Sequence, residues 1–279
     1  MASQRVDLGG GVTISYDFRG KVSEDHQGAK TRYGLVMLHG YGGSSAVWRN
    51  QLEFFSPSYD VLAPDLRGWG HSSNPGSGKY ELSDFINDID TLTQRLWLTE
   101  HLVLMGSSMG GLLAQAYTLR NRDKVSALVL VGTRAKARGD LASLVSRVKT
   151  EGPEQIVRET ITKCFTGEEG DPQQMKKRRE ELKNYLLEHV GYVSKDTALG
   201  SLTAFRDFDL RETLKALDIP TLIVFGERDR ITTRDEAELL HSQIAGSELK
   251  IIPKVGHLPM LEAPELFNSI LANFLSKLP

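Results

Sequence analysis

Six short apolar runs constrain this chain more than any other feature: residues 35–38, 59–63, 102–105, 127–131, 221–225 and 249–252, each closed at or near a glycine or proline. Their hydrophobicity is continuous rather than alternating, as in strands buried on both faces. Helix-like stretches lie between most of them, at 83–96, 109–120 and 235–244. Strand–helix alternation of this kind predicts a mostly parallel sheet flanked by helices, an α/β class. Ahead of the first run, 4–8 and 13–18 flank Gly9-Gly10-Gly11 and read as an antiparallel hairpin at the sheet edge. The polar stretch 21–32, with His26, reads as a surface loop.

The alternation stops between Thr133 and about Leu214, where apolar spacing turns purely helical. Leu141, Leu144, Val145 and Val148 follow Asp140, an N-cap residue type. Pro153 opens a second helix with Ile156, Val157, Thr160, Ile161 and Cys164 on one stripe. Asp171-Pro172 begins a third, through Met175, Leu182, Tyr185 and Leu186. A chain of 279 residues has room for just under two domains. The expected division is a core of residues 1–133 and 215–279 and a helical insert of 134–214.

Charge excludes one class of partner. With 34 Lys+Arg against 36 Asp+Glu the net charge is -2, far from the basic balance of nucleic-acid binders. The basic run Lys176-Lys177-Arg178-Arg179 is followed at once by Glu180 and Glu181 and reads as a solvated helix face. One cysteine, Cys164, allows no intrachain disulfide. The first residues lack an apolar signal core, and no apolar run approaches ~18 residues. A membrane span and export are therefore not expected, and a soluble cytoplasmic protein is.

The chemistry concentrates at Gly106-Ser107-Ser108-Met109-Gly110, directly after a predicted strand and directly before a predicted helix. This is the nucleophile-elbow pattern G-x-S-x-G in its proper context. So sharp a turn crowds the backbone around Ser108, hence the glycines, and it raises the Ser108 hydroxyl above the sheet at a helix N-terminus. Free N–H groups and the helix dipole there favour developing negative charge. A serine hydroxyl needs an adjacent base. Of seven histidines, His257 is the best placed, in the loop Lys254-Val255-Gly256-His257-Leu258-Pro259 after the last strand. His26, His189 and His241 read as surface residues and His101 as structural. The orienting acid is expected after a strand between Ser108 and His257. Asp229, in Gly226-Glu227-Arg228-Asp229, has that position, with Glu227 as its local rival. Backbone donors for an oxyanion are expected at Met109 and, in His39-Gly40-Tyr41-Gly42-Gly43, at Tyr41. His39 is expected to organise that loop rather than transfer protons.

Taken together, His39-Gly40…Trp48, Asp65-Leu66-Arg67-Gly68-Trp69-Gly70-His71-Ser72, the elbow at Ser108, Gly226-x-x-Asp229 and Gly256-His257 make the sequence resemble the α/β-hydrolase superfamily over nearly its whole length. It is most similar to the small serine esterases and enol-lactonases. The resemblance implies an α/β-hydrolase fold with an inserted helical cap, a catalytic Ser108, Asp229 and His257, and oxyanion amides at Tyr41 and Met109. Epoxide hydrolases and haloalkane dehalogenases share the 65–72 motif but use an aspartate where this chain has Ser108. Carbon–carbon bond hydrolases commonly have Asn where Ser107 stands.

The resulting expectation is a carboxylic-ester hydrolase acting through an acyl-enzyme on a small-molecule ester or lactone. No His/Cys cluster has metal spacing, and no phosphate loop or dinucleotide fingerprint follows the first parallel strand, so no cofactor is expected. Two alternatives remain: an enol-lactonase or carbon–carbon bond hydrolase, and a ligand receptor that retains the triad.

Overall fold

A computed structural model of the chain describes residues 4–20, 33–76, 78–137, 139–165 and 167–279. The surface loop expected at 21–32, His26 included, lies outside the described residues.

Each apolar run becomes a strand. The two N-terminal strands β1 (Gln4–Gly9) and β2 (Val12–Arg19) are followed by β3 (Gly34–Leu38), β4 (Asp60–Pro64), β5 (Leu102–Ser107), β6 (Val125–Val131), β7 (Thr221–Gly226) and β8 (Glu248–Ile252). The helices are α1 (Arg49–Phe55), α2 (Leu82–Arg95), α3 (Met109–Arg120), α4 (Leu141–Glu151), α5 (Pro153–Cys164), α6 (Gln173–His189), α7 (Lys195–Thr203), α8 (Arg234–Gln243), α9 (Pro259–Glu262) and α10 (Pro264–Leu275). The strands form one sheet in the order β1-β2-β4-β3-β5-β6-β7-β8. The β1–β2 and β2–β4 pairings are antiparallel and the other five parallel.

Burial follows the sequence pattern. Every residue of β3, β4, β5 and β7 is buried, because helices cover both faces of the parallel part of the sheet. The edge strands β1 and β8 are mixed. The central helix α3 is buried from Met109 to Thr118, pressed against β5 and β6. Reciprocal capping boxes, Glu81 with Asp84 and Thr233 with Glu236, start α2 and α8.

Among the described residues four α-helices, α4 to α7, and a short 3-10 helix at Thr213–Ala216 run between β6 and β7. Three were anticipated from apolar spacing. The fourth, α7, carries few large apolar side chains, and its start is marked by Ser194, whose hydroxyl accepts the Thr197 N–H at 3.0 Å. One expectation needs correction. Asp140 stands at the N-cap of α4 but with φ -93° and ψ 13° rather than an extended backbone, and its side chain makes no capping bond. On the α4 stripe only Val148 is buried; Leu141, Leu144 and Val145 are half-exposed. The α5 stripe behaves as expected, with Ile156, Val157, Ile161 and Cys164 buried. Among the described residues no helix is long and apolar enough to cross a membrane.

Candidate active site

Only Ser108 separates β5 from α3, so the chain must reverse its geometry at one residue. Ser108 adopts φ 53° and ψ -117°, a strained conformation for a side chain with a Cβ. Its neighbours hold it: the Ser108 N–H donates to the Val131 carbonyl at 3.0 Å, and the Ser108 carbonyl accepts from the Thr133 hydroxyl at 2.7 Å. The two glycines of the pattern are steric necessities. A Cβ on Gly106 would run into the backbone of Gly110, and one on Gly110 into the carbonyls of Leu38 and His39.

His257 follows β8 and is 3% exposed. Its Nδ1 lies 2.7 Å from Asp229 Oδ2, and the Asp229 side chain is 1% exposed. The same carboxylate accepts N–H groups of Ile231 at 2.8 Å and Thr232 at 2.9 Å, and the Thr232 hydroxyl at 2.6 Å. Burial would raise the Asp229 pKa, but the His257 imidazole and these donors outweigh it and hold the carboxyl below its ordinary range. An anion there keeps the Nδ1–H tautomer of His257 and leaves Nε2 as an acceptor. The rival acid is turned elsewhere: Glu227 is exposed and its Oε2 accepts the Lys254 N–H at 2.9 Å.

Ser108 and His257 face one cavity of about 120 Å³, also lined by Tyr41 and Met109. No hydrogen bond joins Ser108 Oγ to His257 among the described residues; such contacts commonly tighten only when substrate binds. The N–H groups of Tyr41 and Met109 are engaged by no backbone acceptor among the described residues. The Tyr41 ring packs edge-on against Trp69 with centroids 4.9 Å apart, so its phenol is part of a wall. Val47, Leu112 and Leu258 line the core side of the cavity, and Leu141, Leu144, Ile161, Leu186 and Phe205 line the opposite side. Leu141 and Leu144 of the half-exposed α4 stripe are thus cavity wall rather than core. Arg134 also lines the cavity, but its guanidinium donates to the Ile231 carbonyl at 2.7 Å and pairs with Glu236 at 3.2 Å.

The loop that carries Tyr41 is held by the 65–72 segment. His39 is fully buried; its Nε2 accepts the Leu66 N–H at 2.9 Å and its Nδ1 lies 2.8 Å from the Gly40 carbonyl. That pair of partners assigns the neutral Nδ1–H tautomer, and burial keeps its pKa low. Asp65 accepts the N–H groups of Ser45 at 2.7 Å and His71 at 2.9 Å. Arg67 in turn grips Asp88 of α2 with two bonds of 2.6 Å. His39 therefore organises the loop, as its sequence context suggests.

Sequence reasoning missed three residues around the site. Glu262, on α9, accepts the Gly256 N–H at 3.0 Å beside His257, and burial pushes its pKa up to about 7. Arg179, read as part of a solvated run, is only 12% exposed and pairs with Asp171 at 2.7 Å. Arg228 pairs with the same Asp171 across 57 positions of sequence. No local pattern marks such partners; the Gly256–Glu262 spacing is the one signal that could have been weighed.

A mostly parallel sheet whose parallel part is covered on both faces, with a serine on a strained strand-to-helix turn, defines an α/β-hydrolase architecture. The family model described as alpha/beta hydrolase fold matches residues 34–264, and the chain belongs to that family. It is 29% identical to an AB hydrolase superfamily protein of Bacillus subtilis, over 86% of this chain and 90% of that one. It is 28% identical to 3-oxoadipate enol-lactonase 2 of Acinetobacter baylyi, over 86% of this chain and 88% of the relative. Among solved structures, a thermophilic esterase from Thermogutta terrifontis superposes with a TM-score of 0.83 at 27% identity, over 99% of both chains.

Proposed function

We propose that the chain hydrolyses carboxylic esters through an acyl-enzyme, with Ser108 as nucleophile, His257 as general base and acid, and Asp229 as the orienting carboxylate. The observation that carries this reading is the Asp229–His257 contact of 2.7 Å on the wall of the cavity that Ser108 faces. In the first half-reaction Ser108 Oγ attacks the acyl carbon while His257 Nε2 takes its proton. The Tyr41 and Met109 N–H groups receive the oxyanion, each such donor being worth roughly 10²–10³ in rate. His257 then protonates the leaving alcohol, and a water deprotonated by His257 releases the acid. Asp229 stays ionised throughout and stabilises the imidazolium.

Helices α4 to α7, within residues 134–214, serve in this reading as a cap whose inward side chains shape the acyl pocket. Apolar walls and an Arg134 already paired with Glu236 favour uncharged acyl groups. Lactone opening is the second reading, favoured by the Acinetobacter relative; it uses the same attack, with the leaving oxygen tethered to the acyl group. Purified protein should turn over p-nitrophenyl esters, and Ser108→Ala should lose that activity by roughly 10⁶-fold while remaining folded. Full activity in Ser108→Ala would remove the proposal. An enol-lactone assayed beside the esters separates the two readings by relative kcat/KM.

A further inference from the structure

The acid loop and the histidine loop are both tied to one stretch of chain, the connection between α5 and α6. At its start the Cys164 carbonyl accepts the His257 N–H at 2.9 Å. At its end Asp171 accepts from Arg228 Nη1 with both oxygens, at 2.8 and 3.0 Å, and from Arg179 Nη2 at 2.7 Å. The Glu168 N–H closes the set at 2.9 Å, and Arg228 Nη2 reaches Glu168 Oε2 at 3.0 Å. The side chains of Asp171, Arg179 and Arg228 are 6%, 12% and 14% exposed. Removing Asp171 from so enclosed a cluster takes away the partner shared by both guanidinium groups, unlike the loss of a surface pair.

Arg228 immediately precedes Asp229, and its N–H donates to the Val255 carbonyl at 2.8 Å, two residues before His257. The contact from Asp171 therefore runs through Arg228 to the backbone of both loops. Asp171 is absent from the cavity wall, so it cannot act by touching substrate. We propose that Asp171 is a positioning residue: its pairing with Arg228 docks the α5–α6 connection onto the two loops and fixes where the Asp229–His257 pair stands relative to Ser108. The role rests on the triad reading above.

The test compares wild type, Asp171→Asn, which removes the charge, and Asp171→Glu, which restores it, by ester kinetics and by backbone hydrogen exchange. Misplacing a catalytic group by a fraction of an ångström to 1 Å costs up to about 10²-fold in rate. Asp171→Asn should lower kcat roughly 10- to 100-fold on every ester, with KM within about twofold, and Asp171→Glu should recover part of the loss. Exchange at Asp229 and His257 should quicken in Asp171→Asn while exchange in β5 and α3 stays as in wild type. Arg228→Lys, which keeps the charge and loses the forked contact, supplies the same two readouts should Asp171→Asn not fold. Loop exchange equal to wild type, or faster exchange with kcat unchanged, overturns the positioning role. A wild type inert toward every ester would sink the triad reading alone, and unchanged loop exchange would still overturn the docking.

Discussion

Replacing Glu262 by Gln should make the protein's stability less dependent on pH, in a direction fixed by the site. The Glu262 carboxyl sits against the His257 loop, where burial raises its pKa from 4.5 to about 7. Burial opposes its ionisation, and the Gly256 and Leu258 N–H groups and the Arg179 charge only partly compensate; nearby Asp229 adds to the rise. A folded-state pKa above the unfolded one means that the folded chain binds the proton more tightly. The stabilisation that goes with it is complete below pH 4.5 and is lost as pH rises through 7. At about 1.4 kcal/mol per unit, the shift is worth about 3 kcal/mol at most. Gln keeps an acceptor for the Gly256 N–H and never ionises. Urea unfolding of both proteins at pH 4.5, 6 and 8 reads the difference directly. Relative to wild type, Glu262→Gln should gain about 2–3 kcal/mol between pH 4.5 and 8. An offset that stays constant across that range would refute the argument.

Three further outcomes follow from the same structure. Ser107→Ala should keep most activity and nearly all stability, since the buried Ser107 Oγ has no hydrogen-bond partner to lose; ester kinetics and a melting curve check it. Gly110→Ala should destabilise at the upper end of roughly 1–3 kcal/mol, measured by urea unfolding, because its Cβ meets backbone carbonyls that cannot swing away. Leu141→Ala and Leu144→Ala should change relative kcat/KM across a C2-to-C12 ester series by roughly 1–3 kcal/mol per contact, with fluorophosphonate labelling of Ser108 intact; a loss of stability with unchanged chain-length preference would remove the cap's role in specificity.

The legibility of this chain divides along a physical line. Strands such as β5 and β7 were readable because burial on both faces leaves no room for alternation, and the elbow because a one-residue strand-to-helix turn restricts the positions two residues to either side, Gly106 and Gly110, to glycine. Asp229 and His257 could be paired in advance from their places after strands, and they stand 2.7 Å apart; their catalytic roles belong to the proposal above. What stayed hidden depends on pairings distant in sequence. Asp171 meets Arg228 across 57 positions, and Arg179 looks like any basic residue of an exposed helix until the fold turns it inward. The α4 stripe was legible only in part. Apolar spacing marks a face that must leave water, yet does not say whether it meets core or cavity. Leu141 and Leu144 meet the cavity.

The central claim is that the Ser108 hydroxyl is activated by His257, and covalent labelling with a fluorophosphonate tests it without assuming any substrate. A single adduct on the peptide carrying Ser108 is expected, forming roughly 10³-fold or more slower in His257→Ala. An adduct on another residue, or labelling of Ser108 at an unchanged rate in His257→Ala, would contradict it.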